Sequence, residues 1–347
     1  MDEPMSNFLG VKLPIIQAPM AGVQGSDLTI AVCKAGGLGS LPCAMLSPEM
    51  IVSEIKAIKA AVSSPFNLNF FCHQMPDYSQ VRHDQWQRVL KPYFDELTIS
   101  CKNQPYAASR QPFNHLIADL IEPFKPEVVS FHFGLPDDEL LSRVKGWGTK
   151  VLSSATTVKE ALWLEAKGVD AVIAQGVEAG GHRGMFLTDD VTTQLGLFSL
   201  LPQLTARLNI PVIAAGGIAN PRGVASALSM GASAVQIGTT YLLCPEANTT
   251  PLHRNALKSE AAQHTALTNI FSGRPARGIV NRVMRELGYI TPDAPSFPYA
   301  GIEITQLKLA AEAVNSTDFT SLWCGQNASG CQEISAYELT RWLTGAA

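Results

Sequence analysis

A short apolar run that stops on glycine recurs along this chain, and that pattern most restricts how it can fold. Val169–Ala174 runs into Gln175-Gly176-Val177-Glu178-Ala179-Gly180-Gly181-His182-Arg183-Gly184. Pro211–Ala215 runs into Gly216-Gly217-Ile218, and Ala234–Ile237 into Gly238-Thr239-Thr240. Each apolar run has the length of a buried strand. Between the last two, Asn220–Met230 has helical spacing, with Asn220 as N-cap and Pro221 at the first helical position. The same alternation runs upstream. Strands are expected at Pro14–Pro19, after Gly36-Gly37-Leu38-Gly39-Ser40, at Pro65–Phe70, Glu127–Gly134 and Lys150–Ser154, with helices at Asp27–Ala35, Glu49–Val62, Asp137–Lys145 and Thr157–Lys167. Strands alternating with helices make a parallel sheet. Eight strands make a closed one, so the predicted class is α/β, a (β/α)8 TIM barrel. A doubly wound open sheet would want a dinucleotide fingerprint after the first strand. Gly37 to Pro42 fails as one, because Pro42 stands where the last glycine belongs.

Two regions break the alternation. His73–Lys125 is long for one connection and carries Trp86, Tyr93, Phe94 and Tyr106, which predicts a helical insertion near the barrel mouth. Thr192–Leu208 has helical spacing that Pro202 should break. After Leu243 the pattern changes, and residues 244–304 read as a small, mainly helical cap. Glu303–Asn315 and Ser335–Leu343 look helical and are expected to return to the barrel, which would then comprise residues 1–243 and 305–347.

Composition narrows the function. A chain of 347 residues, 46% of them hydrophobic, can bury a large core. A net charge of −4 argues against a nucleic-acid or anionic membrane surface. No run approaches a membrane span, and Met1-Asp2-Glu3-Pro4 lacks the basic and apolar regions of a signal peptide. Seven scattered cysteines without a C-x-x-C pair suit reduced thiols, hence a cytoplasmic protein. Both a monomer and a homodimer are compatible with this reading. The seven histidines are dispersed, so no metal site is expected.

Gly180, Gly181, Gly216, Gly217, Gly238 and Thr239 sit where barrel strands end and would let backbone approach a phosphate. Asn69, Gln175 and Gln236 place amides at strand ends. An amide both donates and accepts, which suits the mixed edge of a flavin ring. One cradle and no acidic ribose reader favour a monophosphate flavin, FMN. His182 follows the cradle and could serve as base or as cationic anchor. Arg183 beside it could instead hold an anion. His132, inside a strand near its end, is either a satisfied core residue or a substrate contact.

These motifs together resemble the nitronate monooxygenases, formerly 2-nitropropane dioxygenases. The resemblance rests on Pro14–Gly22, Asn67-Leu68-Asn69, Ser130-Phe131-His132-Phe133-Gly134, Gln175–His182, Ala215–Ile218, Gln236–Thr239 and Ser272-Gly273-Arg274-Pro275-Ala276-Arg277. It implies an FMN-containing barrel that oxidises alkyl nitronates, such as propionate 3-nitronate, with O2 to a carbonyl compound and nitrite, as a detoxification. It implies that Ala21, Asn69, Gln175, Gly180, Gly181, Gly216, Gly217 and Gln236, Ile237, Gly238 and Thr239 contact FMN, and that His182 is catalytic. His132, Tyr299 and Lys308 are the substrate contacts that the sequence offers. Two alternatives remain. One is a flavin-dependent enoyl-acyl-carrier-protein reductase, which shares Glu178-Ala179-Gly180-Gly181-His182 and would use NADH. The other is a non-catalytic flavin- or phosphate-binding protein. The Ser130–Gly134 strand and Arg183 favour the nitronate reading over the reductase.

Overall fold

The computed structural model describes residues 8–102 and 110–345; Met1–Pro4 and Tyr106 lie outside them. Eight parallel strands form the barrel: β1 (Ile15–Gln17), β2 (Ser40–Pro42), β3 (Asn67–Phe71), β4 (Val128–His132), β5 (Lys150–Ala155), β6 (Ala171–Gln175), β8 (Val212–Ala215) and β9 (Ala234–Ile237). β7 (Gly181–His182) belongs to a second sheet. The barrel order is β1-β9-β8-β6-β5-β4-β3-β2, and a parallel bridge from Ile16 to Leu38, just before β2, closes the ring.

The two-residue period of the strands separates two cores. Ala171, Ile173, Ile213 and Ala215 pack with Ile16, Leu38 and Leu152 inside the barrel. Val172, Ala174, Val212 and Ala214 belong to the larger layer between strands and helices. The helices α1 (Ser26–Ala35), α2 (Pro48–Ala61), α3 (Gln80–Glu96), α4 (His115–Ile121), α5 (Asp138–Gly146), α6 (Val158–Ala166), α7 (Leu197–Thr205) and α8 (Pro221–Ser229) follow in order. Asn220 caps α8 by accepting from Gly223 N at 2.9 Å, with Pro221 at the first position.

Thr192–Leu208 is not one helix with a break at Pro202. A 3-10 turn spans Val191–Thr193, and α7 starts at Leu197 and runs through Pro202. The missing N–H of Pro202 would have bonded Phe198, which is 79% exposed, so water can replace that bond.

The cap contains α9 (Pro251–Lys258), α10 (Arg282–Leu287) and α11 (Gly301–Ala313), and it also contains a sheet. β10 (Thr265–Thr268) and β11 (Ala276–Ile279) pair antiparallel, and β11 pairs with β7. The inserted α3 joins the cap: Trp86, Leu90 and Phe94 pack with Ile304, Leu307 and Ala311 of α11. His83 and Glu303, both fully buried, pair at 3.0 Å between these helices. Of the two late segments expected on the barrel, α11 packs on the inserted α3. The other, α12 (Ala336–Leu343), docks on α1 and α8. No helix among the described residues is long and apolar enough to cross a membrane.

Candidate active site

The ends of the barrel strands and the cap enclose a cavity with about 1400 Å³ of free space, part of it open to solvent. Ala21, Asn69, Gln175, Gly180, Gly181, Gly216, Gly217 and Gln236–Thr239 all line it, with His132 and His182. The sequence-predicted cofactor contacts are thus brought together. Tyr299 and Lys308 are not among the lining residues. The Tyr299 hydroxyl donates to Pro76 O at 3.3 Å, and Lys308 faces Glu312 at 3.9 Å on α11. Tyr299 lies in the turn just before α11 and Lys308 on that helix, and neither side chain reaches the cavity that the glycine loops define.

The loop after β6 is built by its own polar groups. Gln175 Nε2 donates to His182 O at 3.0 Å, and Gly184 N donates back to Gln175 Oε1 at 2.7 Å. His132 Nε2 lies 3.1 Å from the same carbonyl, and its Nδ1 lies 3.1 Å from Ser154 Oγ. A carbonyl only accepts, so Nε2 carries the proton and Nδ1 accepts from the serine hydroxyl. Two side chains thus pin the backbone of His182. The other flank is β7, where His182 registers with Ala276 and Gly181 with Arg277 of the cap. Arg183 N continues the pairing to Pro275 O at 2.9 Å.

Arg183 itself faces away from the cavity. It is fully buried, with Nε donating to Gln194 Oε1 and Nη2 to Gln175 O, each at 2.9 Å. Burial pushes its pKa down to about 9. It therefore braces the loop from behind and cannot hold an anion over the strand ends. Glu178 is also structural. Its two oxygens accept from Leu197 N at 2.9 Å, placing negative charge at the N-terminus of α7.

His182 is the ionisable group of that loop that faces the cavity. Its Nε2 lies 2.8 Å from the buried Ser272 Oγ. The rings of Phe71, Phe133 and Phe297 lie 6.1, 5.9 and 5.6 Å from it. Burial, reinforced by the positive charge of Arg110, pushes its pKa well below the ordinary imidazole value. His132 is held down to about 4, again mainly by burial. Both shifts favour the neutral imidazole at physiological pH. Phe133, beside them at the end of β4, adopts φ +70°, a conformation that L side chains rarely take.

The glycines are required by geometry. Gly216 and Gly217 have φ of +118° and +71°. A Cβ on Gly180 would lie 2.5 Å from Gly325 N. Gly325 belongs to a segment that the sequence reading missed. Its N–H donates to Thr239 Oγ1 at 2.9 Å, and Asn327 Nδ2 donates to Gly217 O at 3.0 Å. This segment ties the loops of β8 and β9 together from outside. Met20, Arg110, Trp323 and His253 also line the cavity. Met20 falls in the Pro14–Gly22 motif and Ser272 in Ser272–Arg277, whereas Arg110 and Trp323 lie in irregular segments and His253 on α9, where no sequence pattern marks them. Gln236 Oε1 is buried without a partner among the described residues, an acceptor open to a ligand N–H. No group of metal-ligating side chains exists among the described residues.

Three comparisons with known proteins agree with this geometry. Residues 2–345 match the family described as Nitronate monooxygenase. A nitronate monooxygenase of Pseudomonas aeruginosa is 40% identical over 99% of this chain and 98% of its own. One of Paraburkholderia phytofirmans is 39% identical over 97% and 92%. Among solved structures, a nitroalkane oxidase from Streptomyces ansochromogenes superposes with a TM-score of 0.89 at 36% identity, covering 98% of this chain and 96% of that one. A FabK mutant from Thermotoga maritima superposes with a TM-score of 0.71 at 25% identity, covering 99% and 95%.

Proposed function

The chain belongs to the nitronate monooxygenase family, and from that premise we propose that it oxidises alkyl nitronates with O2 on a non-covalently held FMN, releasing a carbonyl compound and nitrite. The proposed natural substrate is propionate 3-nitronate and the proposed role is detoxification. One observation carries this reading: a neutral imidazole, His182, stands over a glycine-lined cavity that no carboxylate of the described residues lines. Such a cavity accepts an anion and offers it a base.

The residues fit FMN. Gly180, Gly181, Gly216, Gly217, Gly238 and Thr239 would surround its phosphate, where side chains would otherwise fill the space. Asn69, Gln175 and Gln236 would meet the ring edge, and an N–H there would satisfy Gln236 Oε1. Ala21 and Ile237 would pack on the ring. When bound, FMN supplies the electron transfer from carbon and the reaction with O2. This chain's own contribution is distinct. Phe71, Phe133 and Phe297 give His182 apolar surroundings, and Ser272 orients its ring. A nitronate already lacks its carbon proton, so it needs only to be held. A neutral nitroalkane needs a base, and a neutral His182 can receive that proton.

The test is oxygen uptake by the purified protein with a nitronate in air, together with mass analysis of the flavin released on denaturation. Rapid uptake and FMN are expected. No uptake with a nitronate, together with fast NADH oxidation by an enoyl thioester, would transfer the chain to the reductase reading. A protein that takes up no flavin sinks both.

A further inference from the structure

Arg110 is the one fully charged side chain among the described residues lining the cavity. Aspartate and glutamate are absent from the same lining. The nearby imidazoles of His132, His182 and His253 are neutral at physiological pH, since burial holds each below the ordinary range. Arg110 Nη1 is buried and has no hydrogen-bond partner among the described residues. A guanidinium N–H removed from water without an acceptor is costly, and its planar fork matches a carboxylate.

Arg110 lies near the reacting end and acts on His182 through its charge. Phe297 is the shared neighbour: the Arg110 guanidinium lies 5.6 Å from its ring centroid, and the His182 ring lies at the same distance. Arg110 and His182 line the same cavity, with the ring of Phe71 beside them, so one small molecule can reach both. Methylene groups suit that surface, and a negative charge suits the guanidinium beyond it. Arg274 does not compete. Its guanidinium stacks on Phe133 at 4.3 Å, and Nη1 donates to Met185 O at 3.4 Å.

Building on the nitronate reading, we propose that Arg110 is a specificity-determining residue that holds a carboxylate carried on the substrate a few carbon atoms from the nitronate. Acidic nitronates are then preferred over plain alkyl nitronates of equal length.

Steady-state kinetics of wild type, Arg110→Met and Arg110→Lys with propyl-1-nitronate and propionate 3-nitronate test this, because the two substrates differ at the terminal carboxylate. The ratio of kcat/KM for the acidic over the plain nitronate is expected to fall about 10- to 100-fold in Arg110→Met, mainly through KM, as a charge-assisted hydrogen bond is lost. Arg110→Lys keeps charge without the fork and should recover part of the ratio. It also serves if the methionine variant does not fold. A second measurement needs no turnover: 3-nitropropionate, titrated calorimetrically, should bind Arg110→Met at least about tenfold more weakly than wild type. An unchanged ratio, or equal 3-nitropropionate binding, overturns the anchor. Wild type that turns over neither nitronate, yet binds 3-nitropropionate through Arg110, upholds the anchor and overturns the nitronate reading.

Discussion

Glu178, His182 and Arg183 lie close together on one loop and look equivalent in sequence, yet they act differently. Glu178 caps a helix, Arg183 braces the loop from behind, and His182 meets the cavity. What distinguishes them is the side of the backbone each leaves, which the β7–β11 pairing fixes and which no local pattern encodes. His182→Asn keeps a polar group there but removes the base. Turnover of a neutral nitroalkane is expected to fall about 100-fold or more, and nitronate turnover to change by less than about tenfold. Steady-state kinetics on both substrate forms, with flavin content checked by absorbance, decide this. Equal losses on both would argue against a base. A neutral His182 also places the acid limb of the wild-type nitroalkane pH profile below the ordinary imidazole value of 6.5. A limb at or above that value would contradict the burial described. The glycines and amides were legible as residues because strand ends point them at one place. Arg110, Trp323 and Asn327 were not, since each comes from an irregular segment whose position depends on tertiary packing.

At the level of elements, most of the barrel helices were readable to within a residue or two because capping chemistry is local, the exception being Thr192–Leu208, whose helix starts only at Leu197. Ser47 accepts from Met50 N ahead of Pro48, and Thr157 accepts from Glu160 N. β7 was not readable. A two-residue strand has no period, and it exists only because β11 arrives beside it much later in the chain. The turn after β8 gives an element-scale prediction. Gly217 holds φ +71° against the side chain of Glu178. Gly217→Val puts a β-branched residue into a conformation it resists, and crowds the proposed phosphate site. FMN affinity, measured by fluorescence titration, is expected to fall at least about tenfold. An unchanged affinity in a folded variant would place the phosphate elsewhere.

Across the whole molecule, burial of imidazoles couples stability to acid. His73, His132 and His253 are held down to about 4, in each case chiefly by burial. In the unfolded chain they titrate near 6.5. Between those values the unfolded state binds more protons, so this contribution is complete above 6.5 and is lost as pH falls toward 4. The Tm of the holoenzyme is expected to drop by about 5 °C between pH 7 and pH 5, and to change less between pH 7 and 8.5. A scanning-calorimetry series that is flat down to pH 5 would refute the burial argument. The closure of the barrel was legible from its alternation, whereas the union of the inserted α3 with α11 was not, because their shared apolar faces are distant in sequence. The pairing of β7 with β11 also bears on how such proteins can be recombined. His182 and Ala276 are rungs of one ladder. A chimaera that takes its barrel from one relative and its cap from another divides that ladder between parents. For inheritance and for engineering, then, the unit is the pair of segments 174–184 and 272–279, and a crossover between them separates the two halves of a single site.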